Sequence, residues 1–305
     1  MNAAHGLTAS TSQESELQLF GWRTGQSQLD VLLLLTLVVV MVSPAPHDPW
    51  YLRVAAIVLS IGALVFRPLL RHVGFWGIMA VLHIVVFNFV GWEFSDNHKF
   101  LLSYWCLAIA GALCLQDPAA ALATTSRLLI GLVFLFATVW KATSIVYLSD
   151  TNFHFLLLTD FRFFPLANLL AGVSPEVFEA NRDALAGMNT LQSPITLQAT
   201  DGVAALATFL TWWTVILEGL IALLFLIPKG RVVTVARHVT LLGFVVVTYP
   251  PTNVIQFGWI IVVMGLASSP VEFRRIRSAY FAALIFIFCF STGAIRNAFY
   301  EWVVG

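Results

Sequence analysis

The chain has 305 residues and equal numbers of basic and acidic side chains, so its formal net charge is zero. Hydrophobic residues make up 59% of the sequence and charged residues 10%, with a mean hydropathy of +0.86. A soluble domain carries about a quarter charged residues, so an ordinary soluble protein is excluded, and the lack of a basic patch argues against nucleic acid as a partner.

Apolar runs follow a polar N-terminal stretch, residues 1–28. A hydrocarbon core is about 30 Å thick and needs about 20 apolar residues per crossing helix, so an all-α integral membrane bundle of about eight to nine transmembrane helices is predicted. Residues 1–28 lack the basic start of a secretory signal and are interpreted as a cytoplasmic tail, and residues 29–305 as a single transmembrane domain. The runs are Leu29–Val42, Tyr51–Leu70, Val73–Trp92, His98–Leu115, Leu128–Leu148, Val203–Ile227, His238–Tyr249, Asn253–Ala267 and Ala279–Ile295.

Basic residues cluster after runs two, four, six and eight, and such loops face the cytoplasm. They share one side only if runs seven and eight cross separately. Pro250 and Pro251 lie between these runs and would break a helix, although one kinked helix or two half-helices at a cavity are alternatives. The charges favour nine helices and a cytoplasmic N-terminus. The protein is expected to be a multi-pass protein of a bacterial inner (plasma) membrane, with the lipid bilayer as its main partner. The residues are Arg67, Arg71, Arg127, Lys229, Arg231, Arg237, Arg274, Arg275 and Arg277.

Residues 149–202 form an extracytoplasmic segment in this topology, too long for a plain turn. Phe153–Phe164 is rich in Phe and Leu, and is expected to lie on the membrane surface or to fold back into the bundle. Ser174 followed by Pro175 predicts a helix start before Val177–Met188, with the serine as cap and the proline in the first turn.

Two charged residues lie well inside apolar runs, where charge is costly and indicates function by default. Lys141 is seven residues from Leu148, or about 10 Å deep, and either snorkels to the headgroups or faces a site. Glu218 must be protonated, paired or directed at a polar cavity. It is expected about 10 Å deeper than Lys141, so a direct ion pair requires one helix to be shifted.

Other polar residues give no familiar ligand pattern. His98 follows Asn97 at the start of run four, and His238 and Asn253 flank the proline pair. No metal site is predicted, because the spacings of zinc and haem ligands are absent. The cysteines all fall in apolar runs and are interpreted as small buried hydrophobes; they are Cys106, Cys114 and Cys289.

Three motifs, taken in order, resemble the HTTM membrane domain, the family that contains vitamin K-dependent γ-glutamyl carboxylase. The similarity spans residues 30–267 of the chain. The motifs are Asp96-Asn97-His98-Lys99-Phe100-Leu101, then Phe136-Ala137-Thr138-Val139-Trp140-Lys141-Ala142 with Leu158-Thr159-Asp160-Phe161-Arg162-Phe163, and finally Asn253-Val254-Ile255-Gln256-Phe257-Gly258-Trp259-Ile260.

This resemblance implies a catalytic Lys141, acting as the base that deprotonates a reduced, vitamin K-like quinone, with His98 in support. Burial disfavours an ammonium, so a neutral amine could take up a proton. Residues that would hold the quinone are Asn97, Glu218, Asn253, Gln256 and Trp259.

Two positions depart from the family motif. Thr138 stands where the family has glycine, and Trp140 replaces the first lysine of a pair. No counterpart of the carboxylase's large lumenal domain lies within these residues, so carboxylation of a large protein substrate is not implied.

Three functional hypotheses follow. The first is a carboxylase- or epoxidase-like enzyme that uses a reduced quinone and a small or peptide substrate. The second is a non-enzymatic membrane protein for peptide maturation or export. The third is a transporter with its substrate at Pro250 and Pro251, where freed carbonyls could bind an ion, although no inverted repeat is visible.

The predicted topology places residue 189 and the C-terminus outside. In a variant with the native cysteines replaced by alanine, Asn189→Cys and Gly305→Cys should both react with a membrane-impermeant maleimide in intact cells. Protection at both positions until the cells are lysed would contradict the topology.

Overall fold

A computed structural model describes residues 28–42, 50–87, 97–186, 195–228, 230–252 and 255–291, and all of its regular secondary structure there is helical. The predicted all-α class is therefore confirmed for these ranges. The helices are α1 (Gln28–Val42), α2 (Trp50–Val65) with a 3-10 turn (Arg67–Arg71), α3 (Val73–Val81) with a π-helical turn (Leu82–Phe87), α4 (Asn97–Leu113), α5 (Pro118–Thr143), α6 (Ile145–Leu148), α7 (Thr151–Thr159), α8 (Phe164–Ala171), α9 (Pro175–Ala186), α10 (Asp201–Leu226), α11 (Arg231–Thr252), α12 (Ile255–Ser268) and α13 (Arg274–Ser291).

Three of the described helices are long and apolar enough to cross a membrane: α5, α10 and residues Arg231–Tyr249 of α11. Helices α7 and α8 pass the same test only as a pair, and they are bent by 102° relative to each other. The shorter apolar helices are Gln28–Val42, Trp50–Val65, Val73–Ile84, Lys99–Leu113 and Gln256–Ser268. Each predicted apolar run thus contains a helix.

Helices α5 and α10 form the centre of the bundle and run antiparallel. A Cβ atom added to Gly131 would lie 2.8 Å from the side chain of Leu226, and one added to Gly219 would lie 3.4 Å from Thr138. Glycine therefore permits close approach at Gly131, whereas the contact at Gly219 is an ordinary van der Waals distance. The overlap involves only the second half of α10, because its first half continues past the end of α5 at Thr143.

The buried apolar residues form two clusters. The larger joins α1 to α5 with α11, α12, α13 and the second half of α10. The smaller joins α6 to α9 with the first half of α10. The Lys141 end of α5 lies where these two clusters meet.

The predicted bounds of run five, Leu128–Leu148, are wrong at both ends. Asp117 caps α5, since its carboxylate accepts from the backbone N–H of Ala120 at 3.0 Å, and a proline follows in the first turn. The helix therefore begins ten residues earlier than expected. It ends at Thr143 because Ser144 is extended and caps α6 instead.

Runs seven and eight form separate helices, α11 and α12, as predicted. Both prolines lie in the last turn of α11, which ends at Thr252. The ring of Tyr249 packs on Gly258, where a Cβ atom would lie only 2.7 Å away.

Helix α11 begins earlier than run seven, at Arg231. His238 and Pro250 lie in this one helix, and the twelve residues from one to the other correspond to about 18 Å. The expectation that His238 flanks the proline pair is wrong.

The segment between α5 and α10 packs against the first half of α10. Thr208 donates to the carboxylate of Asp150 at 2.6 Å, and Thr200 donates to the carbonyl of Ala171 at 2.5 Å. Asn181 exchanges two hydrogen bonds with the backbone of Gln198. These bonds attach the segment to α10 and to the residues that precede it.

Helix α9 begins as predicted. The Ser174 hydroxyl accepts from the backbone N–H of Val177 at 3.4 Å, and Pro175 occupies the first helical position. A hydrogen bond from Ser174 also lowers the pKa of Glu176 from its ordinary value. The helix ends at Ala186, and the predicted end at Met188 lies outside the described residues.

The contact between α8 and α10 predicts that Gly202→Ala destabilises the protein. Its added Cβ would lie 2.9 Å from the Cα and carbonyl oxygen of Ala171, which are backbone atoms that cannot rotate away. Overpacking costs about 1–3 kcal/mol, so the unfolding temperature in detergent should fall by several degrees. Gly62→Ala, where nothing lies within 4 Å, is the matched control, and equal behaviour of the two variants would contradict the packing.

Candidate functional site

A Lys–Glu ion pair joins α5 to α10. The Nζ atom of Lys141 donates to Oε2 of Glu218 at 2.5 Å, and the two side chains are 15% and 11% exposed. Glu218 is therefore paired, which is one of the three states expected for it. The Lys141 ammonium contacts the neighbouring helix α10.

The offset between the helices brings this pair together. Lys141 is two residues from the end of α5, not seven as expected. Glu218 lies well inside α10, because thirteen residues of this helix precede Thr214 and extend past the end of α5. The expected difference in depth was wrong because it assumed that both helices end at the same level. The shift of one helix, which a direct ion pair requires, is what the structure shows.

Tyr147 encloses the pair from α6. Its ring centroid lies 5.5 Å from Nζ of Lys141, a cation–π distance. Its hydroxyl lies 2.6 Å from Oγ1 of Thr214, which also lies 3.0 Å from the carbonyls of Leu210 and Thr211. The hydroxyls of Tyr147 and Thr214 thus form one hydrogen bond, in which either can be the donor.

The sequence contained a signal for part of this arrangement. Thr211, Thr214 and Glu218 are spaced three and four residues apart, which places them on one side of a helix. Thr211 is fully buried, and its hydroxyl has no hydrogen-bond partner among the described residues. Tyr147 could not be assigned from the sequence because it lies beyond the end of α5.

The geometry defines what the pair can do. Two opposite charges in apolar surroundings compensate part of each other's desolvation, and the tyrosine ring adds attraction for the ammonium. Within the described part of the chain, Oε1 of Glu218 makes no hydrogen bond, so it can take up a proton or accept from a ligand hydroxyl. The arrangement is suited to proton exchange with a molecule that reaches this level.

The other catalytic candidate, His98, is the second residue of α4, after Asn97. Only the backbone of these two residues is described, so their predicted roles stay predictions. Helix α4 has 17 residues and α5 has 26. The two helices are joined by a turn at the end of α4. Measured from this turn, α5 is nine residues longer and would extend about 13 Å past the start of α4. Lys141 lies in that extension.

The third motif lies at α12. Asn253 is outside the described residues. Gln256 is half-buried, and Trp259 is buried 6.2 Å from the ring of Phe288, with no hydrogen-bond partner for Nε1 among the described residues.

Helix α12 reaches α5 at a different level from the ion pair. The ring of Phe257 lies 6.3 Å from that of Phe134, which is seven residues before Lys141. The structure thus brings together Lys141 and Glu218, and the roles of the α12 residues stay predictions.

Arginines close the opposite end of the α5–α10 pair. Arg127 donates to the carbonyls of Phe225 and Leu226, and Arg237 donates to those of Leu224 and Ile227. Both guanidinium groups satisfy carbonyls at the C-terminal, negative end of the helix dipole of α10.

A similar cap lies at the end of α12. Arg277 donates to the carbonyl of Ser269 at 3.2 Å, and His238 and Tyr280 form a buried hydrogen bond of 2.8 Å between α11 and α13. We call Arg127, Arg237 and Arg277 the arginine layer. Basic residues that follow runs four, six and eight therefore share one end of the bundle.

No family profile matches this chain, and no curated protein or solved structure matches it either.

The ion pair predicts strong coupling in a double-mutant cycle. Lys141→Met and Glu218→Met should each cost about 3–5 kcal/mol, because each leaves one buried charge unpaired, whereas replacing both partners is often near neutral. Unfolding in detergent micelles would measure the three variants against the wild type.

The surface pair of Arg182 and Glu179, 3.6 Å apart on α9, provides the control cycle. Helix-surface pairs are coupled by only about 0.3–0.5 kcal/mol. Additive effects of the two substitutions, with a coupling energy as small as that of the control pair, would contradict the ion pair between Lys141 and Glu218.

Proposed function

We propose that this chain crosses a bacterial plasma membrane nine times, with the N-terminus in the cytoplasm and residues 149–202 outside. Two observations support this topology. Each apolar run contains a helix, including the short ones. The arginine layer also gathers, at one end of the bundle, basic residues that follow three of the predicted apolar runs, and this end is the cytoplasmic one by the positive-inside rule.

We further propose that the protein is a membrane-embedded enzyme of the carboxylase-like type, acting with a reduced, lipid-soluble quinone. The observation that carries this proposal is the Lys141–Glu218 pair. An ion pair between two long apolar helices is expensive to form without a function. Its position in apolar surroundings suits a partner that dissolves in lipid.

We assign roles that differ from those that the resemblance implied. An ammonium that donates to a carboxylate has no lone pair, so Lys141 cannot act as the base in this state. The proton acceptor is Glu218 at Oε1, and Lys141 holds a positive charge beside any anion that forms. A reduced quinone, when bound, would supply a weakly acidic hydroxyl and reducing electrons.

The surroundings fit such a group. Val139, Trp140 and Ile216 expose apolar surface near the pair, which gives a lipid-soluble ring access from the bilayer. Thr138, the departure from the family's glycine, lies against Gly219 of the facing helix.

A transporter is the second candidate, because α7 and α8 form a broken apolar pair. Their 102° bend carries an Asp160–Arg162 ion pair, and broken helices in transporters often flank the substrate. Uptake driven by an ion gradient into vesicles would favour this function over catalysis.

The enzymatic proposal predicts that Glu218→Gln abolishes quinol-dependent turnover. The amide can still accept from Lys141, so folding should survive, but proton uptake is lost and the rate should fall about 10²–10⁴-fold. The assay is menadiol oxidation by purified protein in nanodiscs, with dissolved dioxygen as the two-electron acceptor, followed by absorbance and corrected for the rate in protein-free nanodiscs. Lys141→Met should lose activity as well.

Glu179→Gln, on the surface of α9, is the matched control and should turn over menadiol at the wild-type rate. Lipid extracted from the purified wild type should contain quinone near one molecule per chain. The proposal would be contradicted if the wild type contained no bound quinone and did not turn over menadiol. Full activity of Glu218→Gln would also contradict it.

A further inference from the structure

Three threonines on α10 form a row that leads away from the ion pair. Thr214, Thr211 and Thr208 precede Glu218 by four, seven and ten residues. At about 100° per residue these side chains lie within about 120° around the helix, and the row extends about 15 Å along it. We call Thr208, Thr211 and Thr214 the threonine row.

Hydrogen bonds occupy both ends of the threonine row. At the end near the ion pair, the Thr214 hydroxyl lies 2.6 Å from that of Tyr147, and either of the two can be the donor. At the far end, Thr208 is exposed and donates to the carboxylate of Asp150 at 2.6 Å. A hydroxyl group both donates and accepts, so it can take up one proton and release another. The row therefore connects the level of the ion pair with a partly exposed carboxylate.

The middle of the row carries a hydroxyl that needs a partner. Thr211 is fully buried, and within the described ranges its hydroxyl makes no hydrogen bond. Side chains three or four residues apart on a helix have Cβ atoms about 5–6 Å apart, a separation that one water molecule bridges with two hydrogen bonds. Buried waters occupy such places because they satisfy polar groups that otherwise have no partner. A water beside Thr211 would thus join the hydroxyls of the row into one chain.

The opposite direction, from the ion pair towards the arginine layer, offers no such groups on α5 and α10. Residues 128–137 of α5 and residues 219–226 of α10 are all apolar. Phe134, Ile221 and Phe225 are buried there. Transfer of a proton through such a region is costly, because its charge would lose its hydration. On these two helices, polar side chains lead to the ion pair from one end only.

We propose that the ion pair exchanges protons with the outer aqueous phase through the threonine row and the waters beside it, with Asp150 collecting protons at the outer end. This inference rests on the proposed function, because it uses Glu218 as the proton acceptor and the topology that places the start of α10 outside.

The balance of protons along this path is simple. A proton that Glu218 takes from the hydroxyl of a ligand passes to the row, where each hydroxyl accepts one proton and releases another, and it leaves as a hydrated proton outside. Among the described residues, the charged or titratable groups that contact this part of the site are Lys141 on α5 and Tyr147 on α6. Thr211 is a positioning residue, since it holds the water that passes the proton on.

Replacement of Thr211 tests the path without any quinone. The exchange of the Lys141 Nζ protons with water is measured by NMR on ¹⁵Nζ-lysine protein in nanodiscs, and Lys141→Met identifies the signal. Thr211→Val keeps the shape of the side chain and removes the hydroxyl, so the exchange should slow about tenfold or more, whereas Thr211→Ser should exchange at close to the wild-type rate. Thr138→Val is the matched control and should leave the rate unchanged, because its hydroxyl donates to the carbonyl of Phe134 and lies outside the row.

Asp150→Asn tests the outer end of the path. An asparagine still accepts from Thr208 and tolerates the left-handed conformation of this position, where φ is 55°. It does not take up protons, so the exchange at Lys141 should slow in this variant as well.

Equal exchange rates in the wild type and Thr211→Val would overturn the proposal, and so would a Thr211→Ser variant as slow as Thr211→Val or an unchanged rate in Asp150→Asn. The exchange is measured without quinone, so its result is independent of menadiol turnover. A protein whose exchange depends on the threonine row but which turns over no menadiol would support the path and contradict the enzymatic proposal alone.

Discussion

The ion pair between Lys141 and Glu218 requires a fixed register between α5 and α10. A buried pair of charges recovers its desolvation cost only when the two groups meet with good geometry. Contacts along the helices set that geometry, because the side chain of Leu226 packs against Gly131 and that of Thr138 packs against Gly219. A slip of one residue along either helix would move a charge about 1.5 Å and turn it by about 100°.

The two ends of the overlap are held in different ways. At one end the arginine layer satisfies the last carbonyls of α10, and at the other the ion pair and Tyr147 close the contact. The first half of α10 is then free to carry α6 to α9 through its own apolar cluster. The candidate site therefore lies at the junction of the two clusters, where a change in the segment after α5 can reach the ion pair through Tyr147.

Much of the architecture was predictable from local patterns. Apolar runs gave the helical class, the break at Pro250 and Pro251 gave two helices, and Ser174 with Pro175 gave the start of α9. The cost of charge in lipid singled out Lys141 and Glu218. These features depend on composition and on neighbours in sequence, which a single chain displays directly.

The errors concern contacts and helix ends. Run five was started at Leu128, directly after Arg127, whereas the cap at Asp117 lets α5 begin earlier and extend past the level of Arg127. The offset of α10 depends on side-chain fit across helices, which no periodicity in one helix reveals. Tyr147 was missed for the same reason, since it approaches Lys141 only after the chain breaks at Ser144.

The most direct test of the central contact is a distance measured in a bilayer. Solid-state NMR on protein with ¹⁵Nζ-lysine and ¹³Cδ-glutamate would detect dipolar coupling between Lys141 and Glu218, and the Lys141→Met sample would identify the signal. A coupling that corresponds to a hydrogen-bonded pair is predicted. Absence of coupling, with the Lys141 signal that of a solvated ammonium among headgroups, would contradict the account.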